Sequence, residues 1–192
     1  MLKTDVNNNG ALAKATIGAK YLFFLFVILS FLWACVLFIF NVREPGFTIP
    51  VENQAILRYD AYGDGHFGAK RSGGRKHAGI DISAPIGAPV VASKSGIATC
   101  MDLKKGYGKL VIIEHIGGFQ TRYAHLSAFG IKKRQWVSQS QRIGAIGKTG
   151  NANHSGIKPH LHFEIRRNGK LLDPSEFIEV KSPSGYADKA NM

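Results

Sequence analysis

Residues 21–40 (YLFFLFVILSFLWACVLFIF) run for twenty positions with no charge and one plainly polar member, Ser30. As a helix rising about 1.5 Å per residue, this run spans roughly 30 Å, the hydrocarbon thickness of a bilayer. It has no polar face, which favours a membrane span over a helix buried in a protein core. Whatever else the chain builds must come from the residues on either side.

Flanking charge sets the expected orientation. Lys3, Lys14 and Lys20 precede the run against Asp5 alone, whereas Arg43 and Glu44 follow it and cancel. The positive-inside rule places the N-terminus in the cytoplasm and everything after about residue 42 outside. A cleaved signal peptide fits less well, because its apolar region is shorter and no small-x-small cleavage site follows. Leu32-Trp33-Ala34-Cys35 resembles a bacterial lipoprotein cleavage box, but Trp33 suits such a box poorly and apolar residues continue beyond Cys35. The expected organisation is a cytoplasmic segment (1–20), a transmembrane anchor (21–42), a stalk and first strand (43–64), a folded domain (65–178) and a flexible tail (179–192).

The region after the anchor carries 22 of the 25 Lys and Arg, 12 of the 13 Asp and Glu, and all seven histidines of a chain with net charge +12. Such an excess suits a polyanionic partner: nucleic acid, an acidic membrane surface or an anionic wall polymer. The predicted topology argues against nucleic acid. Cys35 and Cys100 are too few for a disulfide framework or a Cys-rich zinc site, and Cys100 reads as a small buried side chain.

From about residue 67 the pattern is short, β-branched apolar runs separated by turn formers: GAPVVAS, GIATCM, KLVIIEH, QTRYAHL, RIGAIG and HLHFEI. These predict a mainly β, antiparallel domain, with at most a short helical turn over 127–134. Three segments concentrate candidate ligands: His77-Ala78-Gly79-Ile80-Asp81, Tyr123-Ala124-His125-Leu126 and Pro159-His160-Leu161-His162-Phe163-Glu164. On a strand, residues two or four apart share a face. His77 and Asp81 can therefore converge, and His160 and His162 are neighbours on one face. Two imidazoles and a carboxylate can occupy three tetrahedral positions of Zn²⁺, leaving the fourth for water.

Residues 65–178 resemble the lysostaphin-type (LytM-like) zinc endopeptidase domain of bacterial cell-wall hydrolases. The stretches that carry the resemblance are HFGAKRSGGRKHAGIDISAPIGAPVVAS, GYGKLVIIEH, TRYAHLS, RIGAIGKTG and PHLHFEIRRNGKLLDP. It implies one Zn²⁺ held by His77, Asp81 and His162, with His125 and His160 assisting catalysis as non-ligands. It also implies a β-sheet fold whose substrate groove is flanked by loops. Two departures stand out. The loop 151–158 (NANHSGIK) is about twice the usual length, and Arg134 and Ser140 stand where turn glycines are usual.

Other residues have plainer readings. His115 is expected at the surface or in a turn, and His154 in solvent. His66 lies either at the groove edge or outside it. Glu164 shares strand parity with His162, so it either supports that ligand or forms an ordinary ion pair. Asp173-Pro174 reads as a structural turn.

Two classes of function follow. The first is a membrane-anchored zinc endopeptidase cutting the peptide cross-links of peptidoglycan. It would be a single-pass protein of the bacterial cytoplasmic membrane, with its domain in the periplasm or on the outer face. Peptidoglycan peptide stems are then its partner, and an envelope or secretion complex is a further candidate. The second is a non-catalytic wall-binding or regulatory module that activates other hydrolases or joins an envelope assembly. A narrower enzymatic alternative is a peptidase acting on glycine-rich protein.

Overall fold

The apolar run lies inside one long helix, α1 (Asp5–Arg43). The computed structural model describes residues 5–44, 46–52 and 54–183 and divides into two units, Met1–Pro45 and Gly46–Met192. Within α1, the stretch Gly18–Ile39 has a mean hydropathy of 2.9 and none of it is buried, so it is long and apolar enough to cross a bilayer. Its polar exception is satisfied internally, because Ser30 Oγ donates to the Phe26 carbonyl at 2.8 Å. Such back-bonding lets a hydroxyl lie in hydrocarbon without an orphan donor. The helix begins well before residue 21. Ala11, Leu12, Ala13, Lys14 and Ala15 are good helix formers, and extending a helix costs far less than starting one.

Among the described residues, the second unit has thirteen strands: β1 (Ala55–Ile56), β2 (Tyr59–Asp60), β3 (Gly63–Asp64), β4 (Ile80–Ser83), β5 (Pro89–Val91), β6 (Gly96–Asp102), β7 (Lys109–Glu114), β8 (Phe119–Phe129), β9 (Gln135–Val137), β10 (Arg142–Ile146), β11 (His160–Arg167), β12 (Lys170–Leu172) and β13 (Val180–Lys181). The main sheet runs β12-β11-β8-β7-β6-β9, with β4 also on β11 and β10 bridging β8 to β5. All of these pairings are antiparallel, as the alternating apolar runs predict. The inward face buries Ile80, Ile82, Val111, Ile113, Tyr123, Leu161, Phe163 and Ile165 completely or nearly so.

Three expectations meet a different arrangement. Ser127, Ala128 and Phe129 continue β8 instead of turning into a helix, because Ala128 and Phe129 pair with Ala145 and Gly144 of β10. The segment expected as a stalk joins the domain from residue 46 onward. Thr48 N–H donates to the Ser93 carbonyl at 2.8 Å, and Phe47 packs edge-on against Phe119 and Phe177. At the other end, Val180–Lys181 pairs in parallel with Ala55–Ile56, while the tail beyond residue 183 lies outside the described residues. Arg134 and Ser140 take the left-handed conformation (φ 60° and 64°), as positions normally filled by glycine would require.

Candidate metal centre

The antiparallel register of β4 and β11 sets His162 directly opposite Asp81, with Ile80–Phe163 and Ile82–Leu161 facing the core on either side. One period-two pattern therefore sends apolar residues inward and polar ones outward on both strands. His77 reaches the same point from four residues before Asp81. The connection passes so close to β11 that a Cβ on Gly79 would lie 2.1 Å from the Phe163 carbonyl oxygen, which leaves glycine as the residue that fits.

The result is a triangle of donor atoms. His77 Nε2 lies 3.0 Å from Asp81 Oδ1, His162 Nδ1 lies 2.9 Å from the same oxygen, and the two nitrogens are 3.0 Å apart. Tetrahedral zinc with bonds of 2.0–2.1 Å needs donor separations of about 3.3 Å. These buried residues form a group able to hold a metal ion with only slight expansion of the triangle.

Each imidazole is anchored through its other nitrogen. His77 Nδ1 donates to the His66 carbonyl at 2.7 Å, and His162 Nε2 donates to Glu164 Oε1 at 3.0 Å. With those nitrogens committed as donors, His77 Nε2 and His162 Nδ1 are the atoms that face the centre, where each meets Asp81 Oδ1; a metal ion that displaces the shared proton would find a lone pair on each. Asp81 is divided in the same way. Its Oδ2 accepts from Arg58 at 2.9 Å and Arg71 at 3.0 Å, which leaves Oδ1 for the centre.

His160 and His125 stand beside the triangle. His160 Nε2 is 3.9 Å from Asp81 Oδ1, and its Nδ1 donates to the Lys158 carbonyl at 2.7 Å. The His125 ring lies edge-on to His160 with centroids 5.1 Å apart and 5.9 Å from that of His162; its Nδ1 donates to the Thr149 carbonyl at 2.9 Å. His125 reaches this face only through a bulge. Ala124 pairs with His162, so strict alternation would turn His125 into the core beside Tyr123. Instead His125 adopts φ 63°, the register with β7 shifts between Lys109 and Val111, and Leu126 takes the core position. The backbone stays paired through His125 N–H donating to the Tyr107 carbonyl at 2.9 Å. A bulge that re-aims one side chain is a recurring device at functional sites. Its only sequence signal is the spacing of Tyr123 and Leu126, three apart and both apolar.

Electrostatically the triangle is a trap for positive charge. Burial favours the neutral Asp81 carboxyl, but hydrogen bonds from His162 and His77 hold it well below the usual carboxylate range. Burial likewise disfavours the His162 cation, yet its bonds to Asp81 and Glu164 push it up to about 9. A site that draws a proton this strongly offers a divalent cation the same field. The flanking pair behaves in the opposite way. Burial, aided by His162 and His160, pushes His125 down to about 3, and burial also lowers His160. Both are therefore neutral, with Nε2 unprotonated.

These side chains lie in a groove of about 520 Å³, whose walls include Tyr62, Lys70, Arg71, Tyr107, Asn151 and Ile157. The loop after Thr149 is held by Asn151 N–H and Oδ1, which pair with the backbone of Gly106 at 2.8 and 3.0 Å. Farther along, Lys158 N–H donates to Asp60 Oδ2 at 3.0 Å, and the His154 ring packs on Tyr62. The extra residues of this loop thus form one wall of the groove.

Several residues escaped sequence reasoning. Tyr107 donates to Glu164 Oε1 at 2.6 Å, Arg166 braces Oε2 at 2.7 Å, and Arg58 and Arg71 restrain Asp81. Glu164 is fully buried and held down at about 2 by His162, Tyr107 and Arg166 in spite of that burial. It both supports His162 and forms an ion pair, so the two readings of it coexist. His66 contributes its carbonyl to His77, while its ring pairs with Asp64. Asp173 accepts from Ser175 N–H at 2.9 Å and starts a single turn, as expected. His115 departs from expectation: it is buried, with Nδ1 2.9 Å from the Ser95 carbonyl and Nε2 2.8 Å from Thr121 Oγ1. The strand does not end in solvent there, because Phe47 folds back over the ring.

The model of peptidase family M23 matches residues 75–174, a span that contains His77, Asp81, His125, His160 and His162. The chain belongs to peptidase family M23. Among curated relatives of this M23 chain, the DD-carboxypeptidase/endopeptidase Mpg of Neisseria meningitidis serogroup B is 42% identical over 116 residues, 60% of this chain and 26% of the relative. The murein hydrolase activator NlpD of Salmonella typhimurium is 33% identical over 114 residues, 59% of this chain and 28% of the relative. The chain thus spans about a quarter of the length of these relatives. A zinc-containing peptidase from Vibrio cholerae shares the fold with a TM-score of 0.54 at 33% identity, over 66% of this chain and 38% of that one.

Proposed function

We propose that this M23 protein is a membrane-anchored zinc endopeptidase that hydrolyses amide bonds in peptidoglycan peptide cross-links. In this reading α1 is the anchor, with its N-terminus in the cytoplasm and the β domain in the periplasm or on the outer face. Lys14 and Lys20 before the apolar stretch, against a cancelling Arg43–Glu44 pair after it, support that orientation. The observation that carries the proposal is the triangle of His77 Nε2, Asp81 Oδ1 and His162 Nδ1 with two neutral histidines beside it.

Those three atoms would hold the ion, each oriented by its hydrogen bond on the far side. Zinc supplies Lewis acidity, acidifying water and polarising a scissile carbonyl. The chain's own part is proton movement and charge stabilisation. With Nδ1 donating to a carbonyl, the Nε2 of His125 and of His160 is a proton acceptor facing the groove. One of them takes the proton of the attacking water and returns it to the leaving amine. A protonated or hydrogen-bonding partner then offsets negative charge on the tetrahedral oxygen. Tyr107, close to both His162 and Glu164, restricts solvent on that side.

The test is digestion of purified peptidoglycan by the full chain in detergent micelles, with and without a chelator, and mass spectrometry of the products. New amines released only in the metal-loaded sample are the expected result, and their position identifies the bond cut. A second reading, a regulator that activates other cell-wall hydrolases, is favoured by the likeness to a relative named as a murein hydrolase activator. Binding to peptidoglycan without new amines, at full zinc occupancy, would establish that reading instead.

A further inference from the structure

The lining of the groove falls into two unlike groups of residues. One is formed by Tyr62, Asn151, Ala152 and Ile157, all uncharged. The other is a short ribbon that runs into His77. In it Lys70 bridges Lys76, Arg71 N–H donates to the Arg75 carbonyl at 2.8 Å, and His77 N–H donates to the Ala69 carbonyl at 2.8 Å. Gly73 and Gly74, both at φ 73°, turn the ribbon over. Lys70, Arg71, Arg75 and Lys76 all line the groove.

Like charges directly opposite each other weaken a strand pair. In this ribbon two lysines face one another, and it contains no acid to offset them. Among the described residues, no carboxylate lies within ion-pair distance of Lys70, Arg75 or Lys76; the nearby Asp81 is taken by Arg58 and Arg71. Arg71 Nη1 is buried without a hydrogen-bond partner. Self-repelling cations concentrated along one side of a cleft attract an anion into it.

We infer that the ribbon 69–77 is a carboxylate-binding wall, which selects peptides carrying a free carboxylate beside the amide held at the metal centre. The inference rests on the peptidase reading and adds a substrate preference to it. Guanidinium and ammonium groups of the ribbon bond the carboxylate directly, while the uncharged part of the lining accepts the peptide's apolar side. Neutralising that carboxylate as a carboxamide removes the attraction and leaves the shape unchanged.

Equilibrium binding tests the inference without depending on turnover. A synthetic peptide with a free side-chain carboxylate next to the candidate scissile amide is titrated against zinc-loaded full chain in detergent micelles, beside its carboxamide twin. The carboxylate form is expected to bind about 10- to 100-fold more tightly at low salt, with the preference shrinking as salt rises. The Arg75→Gln/Lys76→Gln double variant is expected to lose the preference while retaining zinc. Equal affinity for the two peptides, or a preference that survives in the double variant, overturns the inference. Cleavage of the same two peptides separates the two ideas. A carboxylate preference in binding without cleavage refutes the peptidase reading alone, and equal binding with normal cleavage refutes the ribbon's role alone.

Discussion

Two buried polar clusters occupy the same β domain, one with four histidines and one around His115 alone, and they are wired differently. At the candidate centre, His77, His125, His160 and His162 each spend one ring nitrogen on a carbonyl or on Glu164; the other meets Asp81 Oδ1 in His77 and His162 and lies at the groove in His125 and His160. His115, beneath Phe47, has partners on both nitrogens: the Ser95 carbonyl and Thr121 Oγ1. The chain of bonds continues from Thr121 to the Tyr123 hydroxyl at 2.9 Å, which also accepts from Ser93 N–H at 2.8 Å. Burial pushes the Tyr123 phenol up, so it stays neutral. Burial alone therefore does not mark a functional histidine. What separates the clusters is what the second nitrogen faces: Asp81 Oδ1 or the groove at the candidate centre, a buried hydroxyl at His115.

The comparison can be broken most forcefully at the triangle. His162→Ala is expected to abolish both zinc retention, measured by elemental analysis, and amide cleavage; a variant that keeps stoichiometric zinc would remove His162 from the ligand set. His125→Ala is expected to keep its zinc and lose turnover by about 10²- to 10³-fold. Were that variant isolated without zinc, the division between ligand and helper would fall. Glu164→Gln weakens the anchor behind His162, so zinc affinity measured against a competing chelator should drop about 10- to 100-fold. A value at the wild-type level would reduce Glu164 to an ordinary ion pair.

The smallest chemical effect is expected in the other cluster. His115→Ala leaves Thr121 short of a partner and should cost about 1–3 kcal/mol of stability in thermal or denaturant unfolding. Zinc content and turnover at the permissive temperature should match wild type. A variant of normal stability but altered turnover would reverse the roles of the two clusters.

Much of the candidate centre was legible in the chain because its key contacts follow backbone periodicity. Leu161 and Phe163 alternate with His160 and His162, and that period of two survives into the register with β4. His125 was legible as a histidine near an apolar strand, but its face was not, since the bulge reverses the side that alternation assigns. His115 reads as a surface residue in the sequence because the residue that covers it, Phe47, belongs to a segment with the composition of a stalk. The carbonyls of His66, Thr149 and Lys158, which set the imidazole tautomers, left no mark at all.

Read as a string, then, the chain settles what short-range geometry governs: an apolar stretch long enough for a bilayer, strands instead of helices beyond it, and pairs of candidate ligands on shared faces. Three-dimensional packing decides the rest. It brings Asp81 opposite His162, turns His125 toward the groove, restrains Asp81 with Arg58 and Arg71, and leaves a cationic ribbon in the groove lining. The division has a physical cause. Side-chain direction along a strand is fixed by the backbone repeat, whereas the groups that orient these imidazoles are mostly backbone carbonyls, which every residue carries and no residue type announces.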